Sequence, residues 1–251
     1  MITDWQFYLL AVPAVILMGV SKGGFSGLSV LSMPLLSLAV SPVKAAAIML
    51  PILIIQDVVS VWAYRSTWDR RNLAILIPGA LAGVILGYAL AAKVQDTEVK
   101  FVVGLIAAGF VIYTYWRQRI AGELKPHAAD VPRGLFWGGL TGFTSFVAHA
   151  GAPPFQVYVM PQQLAPQIYV GTSVICFAIV NWLKVLPYLL LGQFSRENLE
   201  TSGALFPIAV VSTLAGVWLV RRVDAQSFYT VIYVLTFGVG VWLIGESLWA
   251  M

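Results

Sequence analysis

The chain has 251 residues, of which 59% are hydrophobic and only 10% are charged, and its mean hydropathy is +0.85. Soluble domains are typically about 25% charged, so this composition excludes a soluble globular protein and predicts an all-α integral membrane protein. The net charge of +4 is spread over short loops, which is typical of orientation signals and not of a nucleic-acid-binding surface. A single cysteine, Cys176, leaves no disulfide or cysteine metal cluster, and we expect no cofactor.

Ten apolar segments follow one another, at approximately 5–20, 24–40, 43–64, 73–92, 98–117, 133–148, 152–162, 167–191, 200–220 and 226–248. A membrane crossing needs about 20 residues, so the first, second and sixth segments are somewhat short and the seventh is much too short. Asp4 and the lack of a basic N-terminal region favour a first membrane segment over a cleaved signal peptide. We expect eight or more full crossings.

A glycine-rich stretch, Gly19 to Gly27, separates the first two segments. Each of its four glycines costs a helix roughly 1 kcal/mol relative to alanine, which predicts a broken helix. Lys22, Gly23 and Gly24 would then form an anion site with the free N–H groups of the next helix. The alternative is a cytoplasmic turn in which Lys22 only sets the orientation.

A second and more polar stretch, Thr141 to Pro154, follows the linker. Thr144, Ser145 and His149 offer hydrogen-bond donors to an oxyanion, and the spacing of four predicts that Ser145 and His149 share a helix face. Alternatively, the hydroxyl groups bond to carbonyl groups of the preceding turn, and His149 is a buried neutral residue.

Residue types recur at a constant spacing, which predicts an internal repeat. At a spacing of 124 the pairs are Gly27/Gly151, Pro42/Pro166, Asp57/Asn181 and Tyr64/Tyr188; at 129 they are Pro78/Pro207, Gly87/Gly216, Lys93/Arg222 and Gly109/Gly238. The predicted domains are a first membrane repeat at 1–116, a cytoplasmic linker at 117–132 and a second membrane repeat at 133–251. With five segments in each repeat, the second would be inserted inverted, with Gly/Pro-broken helices in both.

The distribution of positive charge favours ten crossings. If all ten segments cross, one side receives ten lysine and arginine residues and the other receives four. If the second and seventh segments re-enter, the distribution is eight to six. The more asymmetric arrangement, with ten crossings, places both termini outside the cytoplasm. We expect the protein to lie in a bacterial inner membrane.

Three polar residues lie inside predicted crossings: Asp57, Asn181 and Lys184. A lysine at membrane depth is costly unless it is paired or faces water, so we expect Lys184 and Asn181 to bind an anionic substrate. Asp57 would pair with Lys184 or Lys22, or carry a coupling proton; a purely structural pair is the alternative. Gln156, Thr172 and Ser173 are weaker candidates for substrate contact.

These features resemble the TauE/SafE family of sulfite and organosulfonate permeases over nearly the whole chain. The similar motifs are Gly19 to Gly27 followed by Pro34, the second break at Gly142 to Pro154, Gly171-Thr172-Ser173 and Gly192-Gln193-Phe194. Ser21-Lys22-Gly23-Gly24 stands where the family usually has a richer glycine motif. The resemblance implies uptake or export of a small sulfur-containing anion such as sulfite or an organosulfonate.

Three functions remain open. A secondary transporter would move a small anion by alternating access around the broken helices, with the lipid bilayer and a coupling proton or ion as further partners. An anion channel would use the same pore. An intramembrane serine enzyme would use Ser26, in Gly24-Phe25-Ser26-Gly27, with His149 as its base; we favour a non-enzymatic role.

Overall fold

The fold consists of α-helices joined by short connections. The computed structural model describes residues 1–90, 93, 95–121, 126–190, 192 and 194–250, and for residues 30, 42, 96 and 121 it describes the backbone only. Gln193 and residues 122–125 of the predicted linker lie outside the described residues. The helices are α1 (Trp5–Gly23), α2 (Ser29–Ser37), α3 (Pro42–Tyr64), α4 (Arg70–Leu90), α5 (Asp96–Ala121), α6 (Val131–Ala148), α7 (Ala152–Val159), α8 (Pro166–Leu190), α9 (Arg196–Val220) and α10 (Ala225–Ala250), with a 3₁₀ turn at Met160–Gln162. No strand occurs within these described ranges, so the all-α prediction is confirmed.

Seven helices are long and apolar enough to cross a membrane: α1, α3, α4, α5, α8, α9 and α10. Helices α2 and α7 have only nine and eight residues, which correspond to about 12–14 Å of the roughly 30 Å hydrocarbon core. Helix α6 has 18 residues and is not among the seven. The multi-span membrane fold is confirmed, and the predicted eight or more crossings are not.

Short polar side chains fix several helix starts. The hydroxyl oxygen of Ser195 and the carboxylates of Asp130 and Asp224 accept hydrogen bonds from backbone N–H groups in the first turns of α9, α6 and α10. At Asp224 the N–H of Ser227 donates at 2.9 Å, and this bond to the charged form lowers the pKa of the carboxyl group. Such caps satisfy N–H groups that have no partner inside the helix.

Helix lengths recur in the same order along the chain. The first five helices have 19, 9, 23, 21 and 26 residues. The next five have 18, 8, 25, 25 and 26 residues. In each half, therefore, a medium helix precedes a very short one, and three long helices follow.

The chain divides into two compact units, each of which combines segments from both halves of the sequence. Unit 1 is Met1–Trp68 with Val170–Val223, and unit 2 is Asp69–Tyr169 with Asp224–Met251. The predicted domain boundaries at 116 and 133 concern sequence repeats and remain a prediction.

In unit 1, the apolar core is formed by residues of α1, α2, α3 and α9, among them Phe7, Leu36, Ile48 and Leu205. Helices α1 and α9 approach closely at Gly23 and Gly216, where a Cβ atom on either residue would collide with the backbone of the other helix. This close approach positions the end of α1 and its polar residues.

In unit 2, α4 packs against α6 through glycines on both helices. A Cβ atom at Gly79 or Gly83 would collide with the backbone of α6, and one at Gly138 or Gly142 would collide with that of α4. Small residues that allow two backbones to approach are typical of helix contacts in membranes.

Candidate functional site

The first glycine-rich stretch contains a break that is shorter than predicted. Helix α1 continues through Gly19 to Gly23, and α2 begins at Ser29. The two glycines inside the break have φ values that other residues rarely adopt, +148° at Gly24 and +124° at Gly27. Gly24 caps the end of α1 and Gly27 lies just before the start of α2, so only two of the four glycines belong to the break.

Lys22 lies in the last turn of α1 and not at the start of the following helix. The predicted combination of Lys22 with a helix N-terminus is therefore not the geometry observed. Instead, Lys22 Nζ forms an ion pair with Asp57 Oδ1 at 2.5 Å, and its side chain is only 11% exposed. Lys22 also lies over the ring of Phe177, 5.7 Å from its centroid.

Asp57 binds two donors at once. Its Oδ1 accepts from Lys22, and its Oδ2 accepts from Asn181 Nδ2 at 2.7 Å. Asp57 in α3 and Asn181 in α8, which the repeat spacing of 124 pairs as equivalent positions, are therefore in direct contact. Both carboxylate oxygens are engaged, so the side chain of Asp57 has a fixed orientation in the interior of unit 1.

Lys184 is the second lysine in the interior of this unit and is more deeply buried than Lys22, with 1% of its surface exposed. It is close enough to Lys22 and Asp57 to interact electrostatically with both. Among the described residues, Lys184 Nζ has no hydrogen-bond or ion-pair partner. These residues form a lysine–aspartate cluster (Lys22, Asp57, Asn181 and Lys184). When its two ammonium groups and its one carboxylate are all ionised, the cluster has one positive charge in excess.

One face of α8 carries most of the second-half candidates in unit 1. Ser173, Phe177, Asn181 and Lys184 follow one another at helical spacing, and Ser173 is 6% exposed. Thr172 lies about 100° further around the helix and is fully buried. The contact between Phe177 and Lys22 shows that this face points towards the end of α1.

Three further polar groups of unit 1 were not predicted as site residues. The hydroxyl of Tyr64 donates to the carbonyl oxygen of Gly23 at 2.7 Å and so holds the end of α1. Ser32 Oγ and Gln56 Oε1 are buried and have no hydrogen-bond partner in the described part of the chain. The sequence could have indicated Tyr64, because it lies seven residues after Asp57 and therefore on the same helix face. Ser32 and Gln56 look like ordinary polar residues in apolar runs.

The second break lies in unit 2 and comprises His149, Ala150 and Gly151. Helix α6 ends at Ala148, and His149 adopts a left-handed conformation with φ of 51°. Because His149 leaves the helix, the prediction that it shares a helix face with Ser145 is wrong. Pro153 and Pro154 occupy the start of α7, as predicted.

The other unit 2 candidates bond largely within the unit. Thr144 Oγ1 donates to the carbonyl oxygen of Leu140 at 2.7 Å, which is the alternative considered for these hydroxyl groups. Gln156 is fully buried, and its Oε1 accepts from Thr236 Oγ1 at 3.0 Å. Ser145 is buried in α6. Of the two residues of the serine-enzyme alternative, the candidate nucleophile Ser26 is buried in unit 1, whereas the candidate base His149 belongs to unit 2.

The arrangement defines a class of protein: a multi-pass membrane protein with a charged cluster in the interior of its spanning helices. Ionisable groups at membrane depth usually mark substrate or ion pathways. Over residues 11–243 the chain matches the family model described as "Sulfite exporter TauE/SafE". The chain therefore belongs to the TauE/SafE sulfite exporter family, as the sequence motifs indicated. Searches of curated proteins and of solved structures give no match.

Proposed function

We propose that this protein is a secondary transporter for a small anion, with sulfite or an organosulfonate as the substrate class. The observation that carries the proposal is the lysine–aspartate cluster of unit 1, which combines the buried Lys184 and Asp57 with the partly buried Lys22. A buried charge without a partner is costly, and a bound anion would neutralise the excess. The family supplies the sulfur chemistry, and the cluster supplies a reason for anion selectivity.

Within the cluster, we assign different roles to the two lysines. Lys22 is engaged with Asp57, whereas Lys184 has no partner among the described side chains and is the primary anion-binding group. Ser32 Oγ, Thr172 and Ser173 would add hydrogen bonds from hydroxyl groups, and Gly23 and Gly24 lie directly after Lys22. Unit 2 has its own set of candidates (Thr144, Ser145, His149 and Gln156), and we propose substrate contacts for these residues separately.

We further infer that the two halves are inverted repeats that operate by alternating access. The recurring helix lengths and the Asp57–Asn181 hydrogen bond at a spacing of 124 support the repeat. Inverted repeats with interrupted helices are a common plan for transporters whose substrate site lies near the membrane midplane. We also propose a bacterial inner-membrane location, and the distribution of positive charge favours both termini outside the cytoplasm.

The test is a flux assay with purified protein in liposomes, using sulfite, sulfoacetate, taurine and thiosulfate. We expect saturable flux of at least one anion, driven by a pH gradient and lost in Asp57→Asn, because Asp57 holds Lys22 in place or carries the coupling proton. Glu197→Gln, which removes an exposed carboxylate paired with Lys44, is the matched control and should transport normally.

Other outcomes separate the alternatives. Flux that never saturates would favour an anion channel over a carrier. A correctly folded protein without flux of any anion would contradict the transport proposal. Saturable flux that persists unchanged in Asp57→Asn would retain the carrier and remove Asp57 from its coupling mechanism.

A further inference from the structure

Unit 2 contains a cavity of about 630 Å³ that none of the predicted site residues accounts for. It is bounded by α5, the start of α6, the end of α7 and one residue of α10. Its polar end includes Arg117, His127 and Arg133, near the end of α5 and the start of α6. Its apolar end includes Leu105, Ile106 and Phe110, further back along α5.

The apolar end opens on the flank of a helix that is long enough to span the membrane. Helix α5 is a candidate span over Thr97–Ile120, and Leu105 on it is 49% exposed. The wall of the cavity between Leu105 and Tyr113 includes Gly109, where an added Cβ atom would meet no atom within 4 Å. An apolar chain can therefore lie along this part of α5 without displacing a neighbour.

The polar end has a net positive charge. Arg117 lies 5.9 Å from the ring centroid of Tyr113, and neither Arg117 nor Arg133 has an ion-pair partner in the part of the chain that is described. The carboxylate of Asp130 also lines the cavity, but its Oδ1 already accepts from the backbone N–H of Arg133 at 2.9 Å. Among the described lining residues, two guanidinium groups against one engaged carboxylate leave an excess of one positive charge.

We propose that this cavity binds an anionic phospholipid. The phosphate group contacts Arg117 and Arg133, and one acyl chain lies along Leu105, Ile106 and Gly109. Basic pockets at the cytoplasmic ends of spanning helices suit anionic headgroups, and the apolar arm distinguishes a lipid from a free anion. The proposal is independent of the transport cluster, because every residue that lines this cavity belongs to unit 2.

Native mass spectrometry of the full-length protein titrated with phosphatidylglycerol tests this assignment. We expect the wild type to retain one lipid molecule. In the double variant Arg117→Gln/Arg133→Gln the affinity for the lipid should fall by roughly tenfold or more, because both phosphate contacts are removed. Gly109→Leu should weaken binding by a similar factor, because the new side chain fills the apolar arm. Gly238→Leu is the matched control: Gly238 lies in a helix of the same unit, also with no atom within 4 Å of an added Cβ, and this variant should bind normally.

Two competitors determine the source of the signal. Phosphatidylcholine should bind clearly more weakly than phosphatidylglycerol, and soluble glycerol phosphate should fail to displace the bound lipid. Equal retention of phosphatidylcholine, displacement by glycerol phosphate, or unchanged binding in both the arginine variant and Gly109→Leu would each overturn the proposal. The melting temperature of each variant without added lipid verifies that the fold is intact.

Discussion

At the level of single residues, Lys184 allows a prediction about both stability and anion binding. Replacing it with Met removes a buried ammonium group that has no partner among the described residues and keeps most of its volume. Removing such a buried polar group is expected to stabilise the unliganded protein, by an amount on the order of 1–3 kcal/mol. The same change should abolish the rise in melting temperature that sulfite or a sulfonate produces in the wild type, as measured by thermal unfolding in detergent.

Lys44→Met serves as the control for this experiment. Lys44 forms an ion pair with Glu197 in which both side chains are substantially exposed, so its loss should change stability by less than about 1 kcal/mol. The response to anions should stay at the wild-type level in that variant. If the anion still stabilises Lys184→Met fully, Lys184 is not the anion-binding group.

Part of the candidate site was readable from residues alone. Asp57, Asn181 and Lys184 are charged or amide side chains in apolar runs, and the repeat spacing of 124 pairs the first two from the sequence alone. The partner of Lys22 could not be chosen, because pairing with Asp57 depends on where α1 ends relative to α3. Phe177 carries no polar signal, and its contact with Lys22 becomes visible only in three dimensions.

The contact between α1 and α9 gives a prediction at the scale of helices. A Cβ atom at Gly216 would collide with the backbone of α1 near Val20 and Gly23, so Gly216→Val should force the two helices apart. Overpacking of this kind costs about 1–3 kcal/mol, and the melting temperature should fall accordingly. Gly203→Val, in the same helix with open space around the glycine, should change the melting temperature much less.

A drop of equal size in both variants would mean that valine lowers the stability of α9 by itself and that the close contact is unimportant. Activity provides a second measurement, because Gly23 lies next to Lys22. Displacement of α1 at this point should lower anion flux in Gly216→Val and leave it unchanged in Gly203→Val.

At this scale the sequence predicted the existence of the helices better than their ends. The glycines at 19 and 23 suggested a break, but both lie inside α1, where they allow close contact with α9 at Ser212 and Gly216. A single sequence does not distinguish a glycine that is needed for packing from one that is needed for a positive φ. The same difficulty explains why the sequence predicted too long a second break: Gly142 lies inside α6, where it allows close contact with α4, and the break is confined to His149, Ala150 and Gly151.

The number of crossings is a property of the whole molecule, and the position of the termini depends on it. Ten crossings place both termini outside and the loop between α3 and α4 inside. In a Cys176→Ser background, Thr3→Cys and Trp249→Cys should therefore react with an impermeant maleimide in intact cells. Ser66→Cys, in the α3–α4 loop, should react only after the membrane is permeabilised.

Two other results have definite meanings. Labelling of only one terminus would indicate an odd number of crossings, as the seven long apolar helices would give on their own. Labelling of Ser66→Cys in intact cells together with both termini would indicate eight crossings, in which α2 and α7 re-enter. The background substitution removes Cys176, which is fully buried, so that the introduced cysteine is the one thiol that can react.

The division into two units could not be predicted from the sequence. Hydropathy and spacing describe the order of segments, whereas the units are set by packing between segments that are far apart in the chain. Helices α1 and α9 come from different halves and pack together through Gly23 and Gly216, and α4 and α6 do so through Gly79 and Gly142. Apolar residues in spanning segments face lipid or protein alike, so their pattern does not identify the partner helix.

The Asp57–Asn181 hydrogen bond has a consequence for the ancestry of such a chain. If the two halves derive from one duplicated gene, the ancestral protein was a pair of identical subunits, and the residue at this position faced its own copy. Two carboxylates in hydrogen-bonding contact repel each other, and two amides have no charge with which to hold Lys22. Only after duplication could one copy keep the acid while the other became its amide donor, so the Asp57–Asn181 pair is an asymmetry that a dimer of identical subunits could not have had.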